Sequence, residues 1–166
     1  MDPFQSAGGL KEDVGMQYGE GRIGRVFVIR LEDGDRLPES LENFAVEHGL
    51  ESAVVVLLGG AADGSRLVVG PEPDQGLGVV PMIHLLAGSQ EIAAMGTLFP
   101  DESGKPVLHM HASVGREGKA TVGCTRAGVK VWLVGEAVIM EILGSRGVRL
   151  KDSRTGFQLL QFPGSP

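Results

Sequence analysis

Past Gly64 this chain offers a fold little except strands. Apolar and β-branched runs cover residues 66–69, 79–86, 92–99, 107–114, 119–125, 129–143 and 157–162, with no segment of helical period between them. One strand–helix–strand unit precedes them. Residues 25–31 read as a strand, and Pro38 opens a helix at the first position that proline favours. Leu41, Phe44, Ala45 and His48 recur at helical spacing, with Gly49 as the stop. Residues 52–58 form an almost continuous apolar run, the pattern of a strand buried on both faces. A run of strands after one helix predicts an α+β fold, a mainly antiparallel sheet with one principal helix.

Length and composition bound the rest. The chain has 166 residues, enough for one domain with a real core, and only 5% aromatics, so that core is aliphatic. Residues 1–21 lack periodicity and read as a flexible N-terminal arm in which Met16, Gln17 and Tyr18 can dock; residues 22–162 form the domain and 163–166 a tail. Residues 70–76 read as an exposed loop, and 100–105 as a hairpin turn or a somewhat longer loop. The single Cys124 rules out an internal disulfide and suits a reducing compartment. With no signal peptide or long apolar run, a cytoplasmic location is expected, without membrane partners. The segment Gly59-Gly60-Ala61-Ala62-Asp63-Gly64 is glycine-rich but lacks the G-x-G-x-x-G order of a dinucleotide loop.

The chemistry concentrates in residues 107–114. His109 and His111 stand two apart in a strand, so both side chains leave the same face. That makes a two-ligand half-site for zinc or another divalent transition metal, or a hydrogen-bonded polar pair. The strand returning after the turn at 115–119 brings either Cys124 or Thr125 beside the pair, and one residue of register decides which. Cys is a good soft ligand and Thr is not. Glu136 lies in an otherwise apolar run and is the candidate catalytic carboxylate, or else the partner of an arginine such as Arg30. His48 reads as a helix-end group, and His84, among Met82, Ile83 and Leu85, as a satisfied strand histidine.

From Arg22 to Phe162 the chain resembles the PPC domain, a module conserved in plants and prokaryotes and coupled in plants to AT-hook peptides. The resemblance rests on several segments in order: Gly24-Arg25-Val26-Phe27-Val28-Ile29-Arg30-Leu31, Leu41-Glu42-Asn43-Phe44-Ala45, Val54-Val55-Val56-Leu57-Leu58-Gly59-Gly60-Ala61, Leu85-Leu86-Ala87-Gly88-Ser89, Leu108-His109-Met110-His111-Ala112-Ser113 and Val134-Gly135-Glu136-Ala137-Val138-Ile139. The resemblance implies a homotrimer and a fold similar to acetolactate decarboxylase, which uses a three-histidine zinc site. It implies metal ligands at His109, His111 and a third histidine in a Gly-Gly-His-Leu segment. Aligned on Gly123-Cys124-Thr125-Arg126, that histidine is replaced by Thr125.

Two functions follow as expectations. The first is a homotrimeric binding or regulatory module, linked to DNA through its family. Tight direct DNA binding is not expected, because the net charge is −6 and Gly21-Arg22-Ile23-Gly24-Arg25 is not the Arg-Gly-Arg-Pro core of an AT-hook. The alternative is a metal-dependent enzyme acting on a small oxygen-rich substrate through the His109–His111 site.

Overall fold

The structure, a computed structural model, describes residues 16–73, 79–153 and 155–164. In chain order its elements are β1 (Arg22–Glu32), β2 (Arg36–Leu37), α1 (Glu39–Glu47), β3 (Ala53–Ala61), β4 (Arg66–Pro71), β5 (Pro81–Leu85), β6 (Gln90–Pro100), β7 (Pro106–Arg116), β8 (Lys119–Cys124), a 3-10 turn (Thr125–Ala127), β9 (Val129–Leu143), β10 (Val148–Lys151) and β11 (Gln158–Gln161). The main sheet runs β1-β9-β3-β6-β7-β8-β4-β5, with β2 added on β9, and β10 and β11 form a separate hairpin. The pairings in both sheets are antiparallel. The α+β expectation therefore holds. The strands β2 and β10 are additions to the sequence reading; with two and four residues they are too short to carry a period.

The pleat decides what is inside. Val55 and Leu57 of β3, Leu98 of β6, Met110 and Val114 of β7, and Ile139 of β9 are buried on one face, where Leu41 and Ala45 of α1 join the same cluster. The helix ends where expected: the His48 Nδ1–H donates to the Phe44 carbonyl at 2.9 Å and its ring stacks on Phe44. His84 departs from its reading. It is exposed on β5, the edge strand, where a side chain has no neighbouring strand beyond it.

The reading of residues 52–58 as buried on both faces is also corrected. Ala53, Val55 and Leu57 are buried, whereas Val54 and Val56 are half-buried and Leu58 is exposed. The apolar run supplies two faces, and α1 covers only one. On the uncovered face Val28 is 81% exposed, Met95 64% and Val122 64%.

Two glycines mark where the ladder breaks. Gly59 and Gly60 sit at a bulge between β3 and β9, and a Cβ at Gly59 would meet the Val134 carbonyl at 2.4 Å. Gly59, Gly60 and Ala61 of that glycine-rich segment are thus strand, and only residues 62–64 turn. In β1 the register shifts between Ile23 and Val26, which takes Gly24 and Arg25 out of the ladder. The Arg25 backbone N–H donates instead to Glu141 Oε2 at 2.9 Å, and its guanidinium forks the same carboxylate at 2.9 and 2.6 Å. Glu141 is 6% exposed, and these bonds from Arg25 bring its pKa down to about 2. A Cβ at Gly24 would lie 2.6 Å from Glu141 Oε2, so only glycine leaves the carboxylate room.

The arm and loops are placed only in part. Residues 1–15 of the expected arm and 74–78, within and beyond the expected loop, lie outside the described residues. The end of the arm does dock, since Gln17 Oε1 accepts from the Phe162 backbone N–H at 3.0 Å. At 100–105 the chain turns over Asp101, which accepts from the Ser103 and Lys105 N–H groups and the Ser103 hydroxyl; these bonds, the Ser103 hydroxyl first, hold its pKa below the ordinary range.

The Glu141 contacts set an acid limit. A carboxylate whose folded pKa is lowered stabilises the fold fully above its ordinary value of 4.5, and that contribution is lost as the pH falls toward about 2. Urea midpoints measured from pH 6 to pH 2 should drop most steeply in that window. Gly24→Ala should flatten the drop and lower the urea midpoint at neutral pH, because a Cβ there displaces the buried carboxylate from Arg25.

Candidate metal centre

The strand β7 lies between β6 and β8, and its odd-numbered residues leave the face opposite the core. Both His109 and His111 are exposed there, opposite Thr97 and Met95 of β6. Their Nε2 atoms are 3.1 Å apart. At that distance two neutral imidazoles share one proton, one Nε2–H donating to the other ring, or both nitrogens turn their lone pairs on one cation. Desolvation first, and then the positive charge of Arg149, the proximity of His111 and the charge of Arg126, lower the pKa of His109 from its ordinary 6.5.

The hairpin joining β7 to β8 decides the third position. Glu117 and Gly118 both have positive φ, 53° and 75°, and Arg116 pairs with Lys119. That is a two-residue turn of primed type, and it fixes the register all the way back. Cys124 therefore lies directly opposite His111. The thiol sulfur and the two imidazole nitrogens all lie within 4.8 Å of one another, and Cys124 is 3% exposed.

Of the two positions that the sequence left open, Thr125 is the one that does not join the cluster. It begins the 3-10 turn, is 1% exposed, and its hydroxyl donates to the Met110 carbonyl at 3.2 Å. Its task follows from the shortness of β8. That strand pairs with β7 only from His111 onward, which leaves residues 106–110 without a partner on that side. Side chains meet backbone groups of this part of β7: Thr125 at the Met110 carbonyl, Arg149 at the Val107 carbonyl and Glu42 at the Leu108 N–H.

The candidate carboxylate is not part of the cluster. Glu136 lies on β9, and β3 and β6 intervene before β7 is reached, a separation of three strand spacings or about 14 Å. It faces Arg30 across the β1–β9 register, yet the Arg30 guanidinium bonds to Glu32 instead. Among the described residues of this chain, neither role expected of Glu136 is therefore met. The residues that sequence reasoning missed are Arg149 and Arg126, which flank the histidines. Arg149 sits in the unforeseen β10, and Arg126 directly follows the Cys124-Thr125 pair.

The donor set fits a transition metal. Two imidazole nitrogens and one thiolate suit zinc and its neighbours, and three protein ligands leave one tetrahedral position open. The 3.1 Å nitrogen separation is close to the value of about 3.3 Å that two zinc–nitrogen bonds at a tetrahedral angle require.

Fold and donor set together define a class: an antiparallel sheet with one helix on its core face and a His-x-His pair on the other. The chain belongs to the Plants and Prokaryotes Conserved (PCC) domain family, the module also abbreviated PPC, whose model matches residues 18–143. A plant- and prokaryote-conserved protein of Pyrococcus horikoshii has a similar structure, with a TM-score of 0.75 and 25% identity over 88% of this chain and 97% of that one. A metal-containing protein from Archaeoglobus fulgidus follows with 0.73 and 25% over 87% and 99%. A Bacteroides thetaiotaomicron protein, provisionally named as DNA-binding, shares the fold at 0.70 and 19% identity over 89% and 99%. Among curated proteins, the bifunctional protein GlmU of Synechococcus sp. (strain JA-3-3Ab) is 28% identical over 135 residues, 80% of this chain; the chain spans only 20% of that relative's length.

The two neighbouring positions should separate cleanly by mutation. Cys124→Ala should weaken zinc binding at least tenfold while the urea midpoint stays nearly unchanged. Thr125→Ala should leave zinc binding unchanged and cost about 1–2 kcal/mol by orphaning the Met110 carbonyl. Competition titration with a zinc indicator and urea melts of both variants would check this.

Proposed function

We propose that this protein is a metal-holding PPC-domain module that assembles as a homotrimer and acts by binding a partner. The single observation that carries the metal is the donor cluster of His109, His111 and Cys124 within 4.8 Å. A similar structure belonging to a metal-containing protein supports it. The ion is zinc or another divalent transition metal, because thiolate and imidazole together select against hard cations. The open fourth position is where a small ligand would reach the metal.

Assembly is supported by the uncovered sheet face. Val28, Leu58, Met95 and Val122 are exposed there, on the face that also carries the histidines, and an apolar surface of this kind marks an interaction site. The trimer is what membership in the family suggests. The test is zinc content together with sedimentation of protein purified without a histidine tag. We expect one zinc per chain, a trimer at micromolar concentration, and loss of zinc in His109→Ala/His111→Ala. Val28→Glu should shift the trimer toward monomer, because the substituted charge would be buried between copies. A metal-free monomer would refute the reading. Zinc affinity should fall as the pH drops, since protons compete for imidazole and thiolate.

Any association with DNA would then run through a partner or a local patch. The net charge of −6 leaves little counterion release. Binding to generic duplex at 150 mM salt, where screening length is about 8 Å, should be no tighter than about 1 µM by fluorescence anisotropy.

A further inference from the structure

Beside the histidine pair lies a cleft of about 420 Å³, closed on one side by the β10–β11 hairpin. Its volume falls within the range of about 300–1,000 Å³ usual for small-molecule sites. Val107, Phe157 and Leu159 give it apolar walls, and His109, Arg126 and Arg149 give it its charge. No acidic side chain lines it among the described residues, in a chain whose net charge is −6.

Arg149 is the telling group. It is 4% exposed. Its guanidinium donates to the Thr97 carbonyl at 2.9 Å, the Thr97 hydroxyl at 3.1 Å and the Val107 carbonyl at 3.3 Å. These are neutral acceptors. Among the described residues no carboxylate comes within ion-pair distance of it. Burying a guanidinium without a counter-charge is costly, and buried charges are ordinarily paired. Arg126 stands at the same cleft, its guanidinium 5.4 Å from the Phe157 ring centre and its side chain exposed. Two guanidinium groups, one fixed by three backbone and hydroxyl acceptors and one exposed against Phe157, line the cleft with donors that match an oxyanion.

We infer that this cleft binds a small organic oxyanion, its carboxylate or phosphate head held by Arg126 and Arg149 and its apolar body laid against Phe157 and Leu159. The inference goes beyond the metal reading and does not depend on it, because the two cations belong to the chain itself. With a metal on the cluster, the same ligand would lie beside the ion's open position.

The test uses zinc-free, isotope-labelled protein titrated with benzoate, phenyl phosphate and neutral benzamide, with amide shifts followed by NMR. At least one anion should give saturable shifts at Phe157 and Leu159. It should bind about tenfold or more tightly than benzamide, the margin expected of a charge-assisted hydrogen bond. The ratio of benzoate to phenyl phosphate affinity identifies the preferred head group. Arg126→Gln, an exposed change that leaves the fold intact, should remove that margin, and Arg126→Lys should restore part of it. Equal binding of benzamide, shifts that do not saturate, or unchanged affinity in Arg126→Gln would overturn the inference. Zinc binding measured on the same variants keeps the two readings apart, since Arg126→Gln should retain it and His109→Ala/His111→Ala should lose it.

Discussion

The uninterrupted antiparallel ladder across β3, β6 and β7 is the constraint on which the rest of this molecule depends. Residues 53–61, 90–100 and 106–116 pair without a bulge along their shared lengths. Within such a ladder parity is absolute: a side chain is on the core face or on the other. Leu108, Met110 and Ala112 go inward under α1, and His109 and His111 are thereby forced outward together. Register shifts occur elsewhere in the sheet, at Gly24 in β1, at Gly59 in β3 and between Val68 and Gly70 in β4, where Val68 is the residue paired with Cys124. The β6–β7 ladder that carries both histidines is regular along its whole length.

Much of this was legible because it follows from local pattern. The single helix, the succession of strands and the shared face of His109 and His111 need only a period of two or of 3.6. Cys124 against Thr125 needed a register, and that depended on whether the turn after β7 is tight or loose. The signal was present in Glu117-Gly118, two residues between strands with glycine in the second place. The family's Gly-Gly-His, set on Gly123-Cys124-Thr125, pointed to the other residue and kept both open. Glu136 was misjudged for another reason. Sequence distance says nothing of how many strands separate β9 from β7, and the long-range order of the sheet places two between them. Apolar residues on both faces of β3 were read as burial, although within one chain only the helix side is covered.

Charge is arranged unevenly for so acidic a chain. The acidic group most firmly held ionised, Glu141, is occupied by Arg25 at the edge of the sheet. The cleft beside the histidines is given two arginines and no acid among the described residues. Burial lowers the pKa of Arg149, yet a guanidinium starts so high that it remains a cation at any physiological pH. The local potential at that cleft is thus opposite in sign to the molecule's net charge.

The bond from the Phe162 N–H to Gln17 has a consequence for how such a domain is joined to others. It ties together positions 145 residues apart, and Gly19 packs so closely on the Phe162 ring that a Cβ there would lie 2.6 Å from it. The two ends of the described chain therefore emerge side by side. A unit with adjacent ends can be spliced beside or into another polypeptide without threading the sheet or disturbing its ladder. A relative five times the length of the matched segment, as the 20% coverage indicates, is the kind of architecture that this geometry permits.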